Sequence, residues 1–328
     1  MRRLLKLALQ KPELAATLLL MLLILFFQIK SNSIFLTYDN LRGMLGFLPE
    51  VGLVAIGVTL LMICGEFDLS VGSVFALMPM IMAVMMVAGW GFWPATCLGL
   101  LISAFIGFLN GWITIRFQIP SFITTLGMLF MARSLTVVVS GGFPPRLNMD
   151  NIPEELFINY VGPYDMFRAS FLWFVGIALV VGFLLAKTNF GNWVRATGGF
   201  LPAAEAMGIP TNKVKIICFM ICSVLAGFAG LIQVLRLGSP LPSIGEGMEL
   251  QAVAAAVIGG ASLSGGIGSI SGGIIGAMLI RVIDNGMVMA QVNSNWFKFA
   301  VGALTIFAVV GNSWLRKRGR SMKVETKQ

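Results

Sequence analysis

Apolar runs long enough to cross about 30 Å of hydrocarbon recur along nearly the whole of this 328-residue chain, and any fold it adopts has to satisfy them. Hydrophobic residues make up 57% and charged residues 11%, where an ordinary soluble domain carries about a quarter charged. Backbone inside a bilayer must find its hydrogen bonds internally. The class that follows is all-α: a polytopic integral membrane protein of about ten transmembrane segments. The runs read as spans at 14–29, 47–64, 72–88, 93–115, 121–139, 170–186, 214–235, 250–260, 267–290 and 295–313. One transmembrane domain therefore fills 1–328, since the polar stretches between spans are too short to fold alone.

The charge follows the same plan. A net charge of +9 could suggest nucleic acid, but the basic residues cluster at 1–13 (Arg2, Arg3, Lys6, Lys11) and at 314–328 (Arg316, Lys317, Arg318, Arg320, Lys323, Lys327). Those are the places that the positive-inside rule and anionic lipid select. An even number of spans puts both termini on one side, the cytoplasmic one, together with Arg116 and the loop 187–215 that carries Lys187, Arg195, Lys213 and Lys215. It leaves 140–168 outside, where Asp150, Glu154, Glu155 and Asp165 outnumber Arg146 and Arg168. The first span lacks a small-residue cleavage site and reads as a retained helix.

Several chemistries are excluded by what is missing. The chain has no histidine and no Gly-rich loop ending in Lys-Ser/Thr, so the commonest general base and metal ligand are absent and any ATP is hydrolysed by another polypeptide. Cys64, Cys97, Cys218 and Cys222 all lie in apolar segments and read as small hydrophobes. No catalytic residue, cofactor or metal is expected in this chain.

Polar anomalies mark the candidate sites. Asp68 stands between two spans in an irregular Gly65–Gly72 stretch, where a carboxylate is costly. It, or Ser70, either caps a helix starting near Val71 or lines a conduit or its gate. Asn110 and Thr125, with Gln118, Ser121 and Thr124, place uncharged hydrogen-bonding groups around the fourth and fifth spans, suited to a hydroxyl-rich solute and equally to helix packing. Arg281 and Asp284 are spaced to pair on one helix, whereas Arg133 has no nearby acid and either snorkels, pairs across helices or faces a ligand. The eighth span is too short for a full crossing and is followed by glycine-rich 259–266, including Ser264, so a broken or re-entrant helix is expected there. Its Leu263-Ser264 echoes Leu69-Ser70 and hints at an internal duplication. In the loop 187–215, Phe200 to Ile209 reads as a short helix with Pro202 at its start and Gly208 past its end. With apolar Leu201, Met207 and Ile209 beside it, it suits docking on another protein.

Taken in order, GEFDLSVGS at 65–73, Asn110-Gly111, Thr125-Leu126-Gly127, ATGGFLPAAEAMGI at 196–209 and AAAVIGGASLSGGIGSISG at 254–272 resemble the permeases of bacterial carbohydrate ABC importers. The likeness is to the ribose- and xylose-type group, within the larger permease family that also holds branched-chain amino acid importers. It implies a permease that works as a homo- or heterodimer with a cytoplasmic ABC ATPase, which uses the ATP, and a periplasmic sugar-binding protein. It makes Ala203, Ala204, Glu205, Gly208 and Ile209 the ATPase-coupling loop, and leaves Asp68, Ser70, Asn110, Thr125 and Ser264 as candidates for the path or gate. Glu66 and Phe67 depart from the second glycine and aliphatic residue usual in that family, and Ile267 from a frequent basic residue. The alternatives are an ion-coupled secondary transporter, which would need a relay of intramembrane acids and histidines, and an ABC importer of an amino acid or signalling molecule.

Overall fold

The computed structural model describes residues 12–147, 152–293 and 295–325. Arg2, Arg3, Lys6, Lys11, Asp150, Lys327 and the basic side chains of the tail lie outside what is described. Among the described residues the architecture is helical, with one two-stranded hairpin. Seven helices are long and apolar enough to cross a membrane: α1 (Pro12–Lys30), α2 (Tyr38–Ile63), α4 (Phe92–Phe117), α5 (Ser121–Ser140), α7 (Ala169–Lys187), α10 (Thr211–Leu237) and α12 (Ile270–Met289). Three apolar helices are shorter: α3 (Val71–Val87), α11 (Met248–Ile258) and the Trp296–Gly311 part of α13 (Trp296–Glu325). The ten expected spans are therefore all present as helices.

α2 is the central post. Every residue from Leu48 to Ile63 is buried, as a helix apolar on all sides requires, and α7, α10, α11 and α12 pack around it. Close approach of the surrounding helices depends on missing side chains: at the α11–α12 crossing a Cβ on Gly259 would strike the backbone of Gly272. Two ion pairs lie within the bundle. Arg236 meets Glu50 at 2.8 Å and Arg281 meets Asp284 at 2.8 Å, the latter as the sequence spacing predicts.

One end of the bundle carries α8 (Asn189–Gly199) and α9 (Leu201–Ala206); the other carries α6 (Glu154–Phe157) and the hairpin of β1 (Tyr160–Val161) and β2 (Phe167–Arg168). The Tyr160 ring there lies under two guanidinium groups, Arg42 at 3.7 Å and Arg168 at 4.7 Å.

Span boundaries differ from the sequence reading where polar residues enter helices. α2 starts at Tyr38 and not at 47, because Asp39, Asn40 and Arg42 stay helical beyond the apolar run. α12 starts at Ile270 and not at 267: Gly268 has φ +155° and Ser269 caps the helix, its Oγ accepting from Gly272 N–H at 3.0 Å. α8 escapes a hydropathy reading because its eleven residues mix Phe190, Trp193 and Val194 with three glycines and four polar residues and form no apolar run. The irregular backbone around α11 lies on both sides of it, at 238–247 as well as at 259–269.

Candidate functional site

Four of the five path or gate candidates meet in one place. The connector from Cys64 to Ser70 carries no regular structure at Glu66, Phe67 and Asp68, so its N–H groups need outside acceptors. α5 supplies them as a ladder. Phe67 N–H donates to Ser121 Oγ at 3.1 Å and Leu69 N–H to Thr125 Oγ1 at 3.0 Å. The two hydroxyls stand one helical turn apart, about 6 Å, which is what two non-helical residues span. Ser73 Oγ then donates to Leu129 O at 2.8 Å, continuing the register.

Asp68 is the centre of the cluster. It, Ser70, Asn110 and Thr125 are each 0% exposed. Asp68 Oδ1 accepts from Ser70 N–H at 2.8 Å and from Ser70 Oγ at 2.6 Å. Asn110 Nδ2 donates to Ser70 Oγ at 2.9 Å and reaches both Asp68 oxygens at 3.4 and 3.5 Å, while Ser223 Oγ reaches Oδ2 at 3.4 Å. The capping expectation is corrected in detail. Neither Asp68 nor Ser70 takes an N–H from within α3; the Ser70 hydroxyl is spent on Asp68. The carboxylate instead ties the lead-in of α3 to α4 and α10. Ser264 lies apart, exposed on the 259–269 loop.

Glu66, the residue that departs from the resembling family, is neutralised by Lys215 at 2.6 Å, which pins the connector to the start of α10. Arg133 finds backbone acceptors: Pro242 O at 2.7 Å, Ile244 O at 2.8 Å and Gly72 O at 3.0 Å.

α9 is short, with Pro202 in its first turn and Gly208 in the left-handed region at φ +78°. Ala203, Glu205 and Gly208 are exposed, Ile209 is half-buried, and Ala204 is 1% exposed. Glu205 Oε1 accepts from Thr211 Oγ1 at 3.1 Å, which ties α9 to α10. The large apolar groups offered outward are Met207 at 71% and Phe200 at 67%; Leu201 is half-buried.

Behind α9, three chain segments lock through glycines. A Cβ on Gly265 would lie 2.5 Å from Gly198 O and 2.9 Å from Gly65 Cα, and one on Gly266 2.6 Å from Gly199 Cα. Gly266 N–H donates to Ile63 O at 2.8 Å and Arg195 Nη1 to Gly268 O at 3.2 Å. The end of α8, the connector leading to Asp68 and the loop following α11 therefore touch backbone to backbone. Among the described residues no group of three His, Cys, Asp or Glu could hold a metal ion.

The family profile described as the permease component of the branched-chain amino acid transport system matches residues 40–309. The chain belongs to this permease family. Relatives of this permease include the ribose import permease of Escherichia coli, 34% identical over 84% of this chain and 86% of that protein. The xylose/arabinose import permease of Sulfolobus acidocaldarius is 31% identical over 91% of this chain and 84% of its own length. The autoinducer 2 import system permease of Photorhabdus luminescens is 34% identical over 80% and 78%. No solved structure matches the permease chain. It is a multi-pass membrane transport subunit of an ABC import system, and the α8–α9 unit and the Asp68 cluster lie within the matched region.

Proposed function

We propose that this permease passes a neutral, hydroxyl-rich solute, a monosaccharide or related polyol, from a periplasmic binding protein to the cytoplasm of a bacterial cell, by alternating access driven by a separate ATPase. It sits in the inner membrane with both termini cytoplasmic and works beside a second permease copy. The reading is carried by one observation: similarity over at least four-fifths of the chain to permeases named for import of ribose, of xylose or arabinose, and of autoinducer 2. The chain has no histidine to serve in an intramembrane relay, which supports it over ion coupling.

In this reading α9 docks on the ATPase through Phe200, Ala203, Glu205 and Met207. Movement of α9 reaches Gly198 and Gly199, and from them the connector at Gly65, so that ATP-driven closure loosens the Asp68 cluster and opens the inner gate. Solubilisation in mild detergent tests the assembly. The permease should carry an ATPase polypeptide with it, and hydrolysis should accelerate when sugar-loaded binding protein is added. Solute uptake into liposomes by the isolated chain would overturn the reading.

A further inference from the structure

Three charged side chains stand on an outward face at membrane depth. Arg133 lies twelve residues into α5, about 18 Å from Ser121 and about 10 Å from Ser140. Its hydrogen bonds to Pro242, Ile244 and Gly72 bring two chain breaks to that level: the connector 238–247 and the first turn of α3. α11 begins there too. Glu249, in its first turn, holds a carboxylate oxygen against Gly72, where any Cβ would strike it. Glu246, on the connector, is exposed, and Arg133 and Glu249 are half-exposed. None of the three is in an ion pair among the described residues.

Lipid cannot cover this face. Charges that stay near mid-bilayer do so against protein or water. Snorkelling is closed to Arg133, whose guanidinium is held by three carbonyls, and the Glu249 carboxylate is held beside Gly72 in the first turn of α3. Large exposed apolar residues border the charges, Phe130 and Met131 on α5 and Leu250 on α11, so the polar strip is narrow and has apolar edges on which another protein surface can close.

We propose that Arg133, Glu246 and Glu249 form one wall of the solute conduit at its waist, with a second copy of this chain supplying the facing wall. This rests on the permease reading and adds to it a location and a selectivity. The carboxylates accept hydrogen bonds from the hydroxyls of a neutral solute. Each copy brings two carboxylates and one guanidinium, so the waist is net negative and turns away anionic solutes by like-charge repulsion.

The test replaces Glu246 by cysteine in a chain whose exposed Cys97 is changed to serine, co-expressed with its ATPase and binding protein. Two membrane-impermeant thiol reagents, one cationic and one anionic, are applied from both sides. Glu246→Cys, which leaves one carboxylate and one guanidinium per copy and so no net charge, should react with both reagents, and labelling should block uptake. Ser243→Cys, exposed on the same connector, keeps all three charges, and there the cationic reagent should react several-fold faster than the anionic one after correction for their rates with a free thiol; Val180→Cys on the apolar face of α7 should stay unlabelled. Inertness at 246 and 243 equal to that at 180 overturns the conduit assignment, as does labelling that leaves uptake intact. Equal corrected rates for the two reagents at Ser243→Cys overturn the charge selectivity. Binding-protein-stimulated hydrolysis is measured in the same preparation; its absence, with labelling as described, faults the ABC reading and leaves the conduit standing.

Discussion

Thr125 accepts from Leu69 N–H while donating to Ser121 O at 2.8 Å, so one hydroxyl serves two buried backbone groups. Thr125→Val keeps the shape and strands that N–H, at a cost of about 1–3 kcal/mol; thermal unfolding in detergent should register it as a lowered Tm, and Thr125→Ser should restore most of the loss. Asp68→Asn tests charge apart from shape. It preserves volume but weakens the two short bonds from Ser70, and it should reduce uptake several-fold while the protein still reaches the membrane at normal levels. Asp68 itself was legible from sequence, since a lone carboxylate between apolar runs has few bland explanations. Its company was not: Ser223 lies 155 positions away and only the packing of α10 delivers it. Glu246 and Glu249 do not stand out in the sequence, because they precede an apolar run too short for a full crossing. Their signal was an acid on either side of Gly247 at the mouth of an apolar run.

Elements that depend on length and hydropathy could be read directly; those that depend on partners could not. The ten apolar helices follow from the thickness of a bilayer. α9 was also legible, because proline and glycine punctuate it. Which of its faces looks outward was not, since six residues are too few to show a period. Ala204 is buried and Ala203 exposed, so two neighbouring alanines should answer differently to the same change. Ala203→Trp and Met207→Asp should abolish co-purification of the ATPase and leave the folded permease intact. Ala204→Trp should lower permease yield and Tm by overpacking, typically 1–3 kcal/mol, before any docking is measured. Intact complexes from Ala203→Trp would remove α9 from the interface.

Across the whole molecule, the glycine contacts make three distant segments a single mechanical unit. Gly198→Ala places a methyl group against the Ile63 carbonyl, where no flexible side chain can yield. Uptake should fall at least tenfold while ATPase binding persists, because the docking surface of α9 is untouched; normal uptake would show that the contact transmits nothing. The half-length of α11 carries a different implication, one for how the protein is made. Eleven residues rise only about 16 Å, half of a bilayer core, and the backbone on either side has no regular structure to shield it from lipid. A ribosome-bound insertion machine that sorts segments by hydropathy cannot release such a piece on its own. α11 is expected to wait for α12 and enter with it as a hairpin against α2, on which both pack, so that the last quarter of this chain, from Met248 on, is also the last to be integrated.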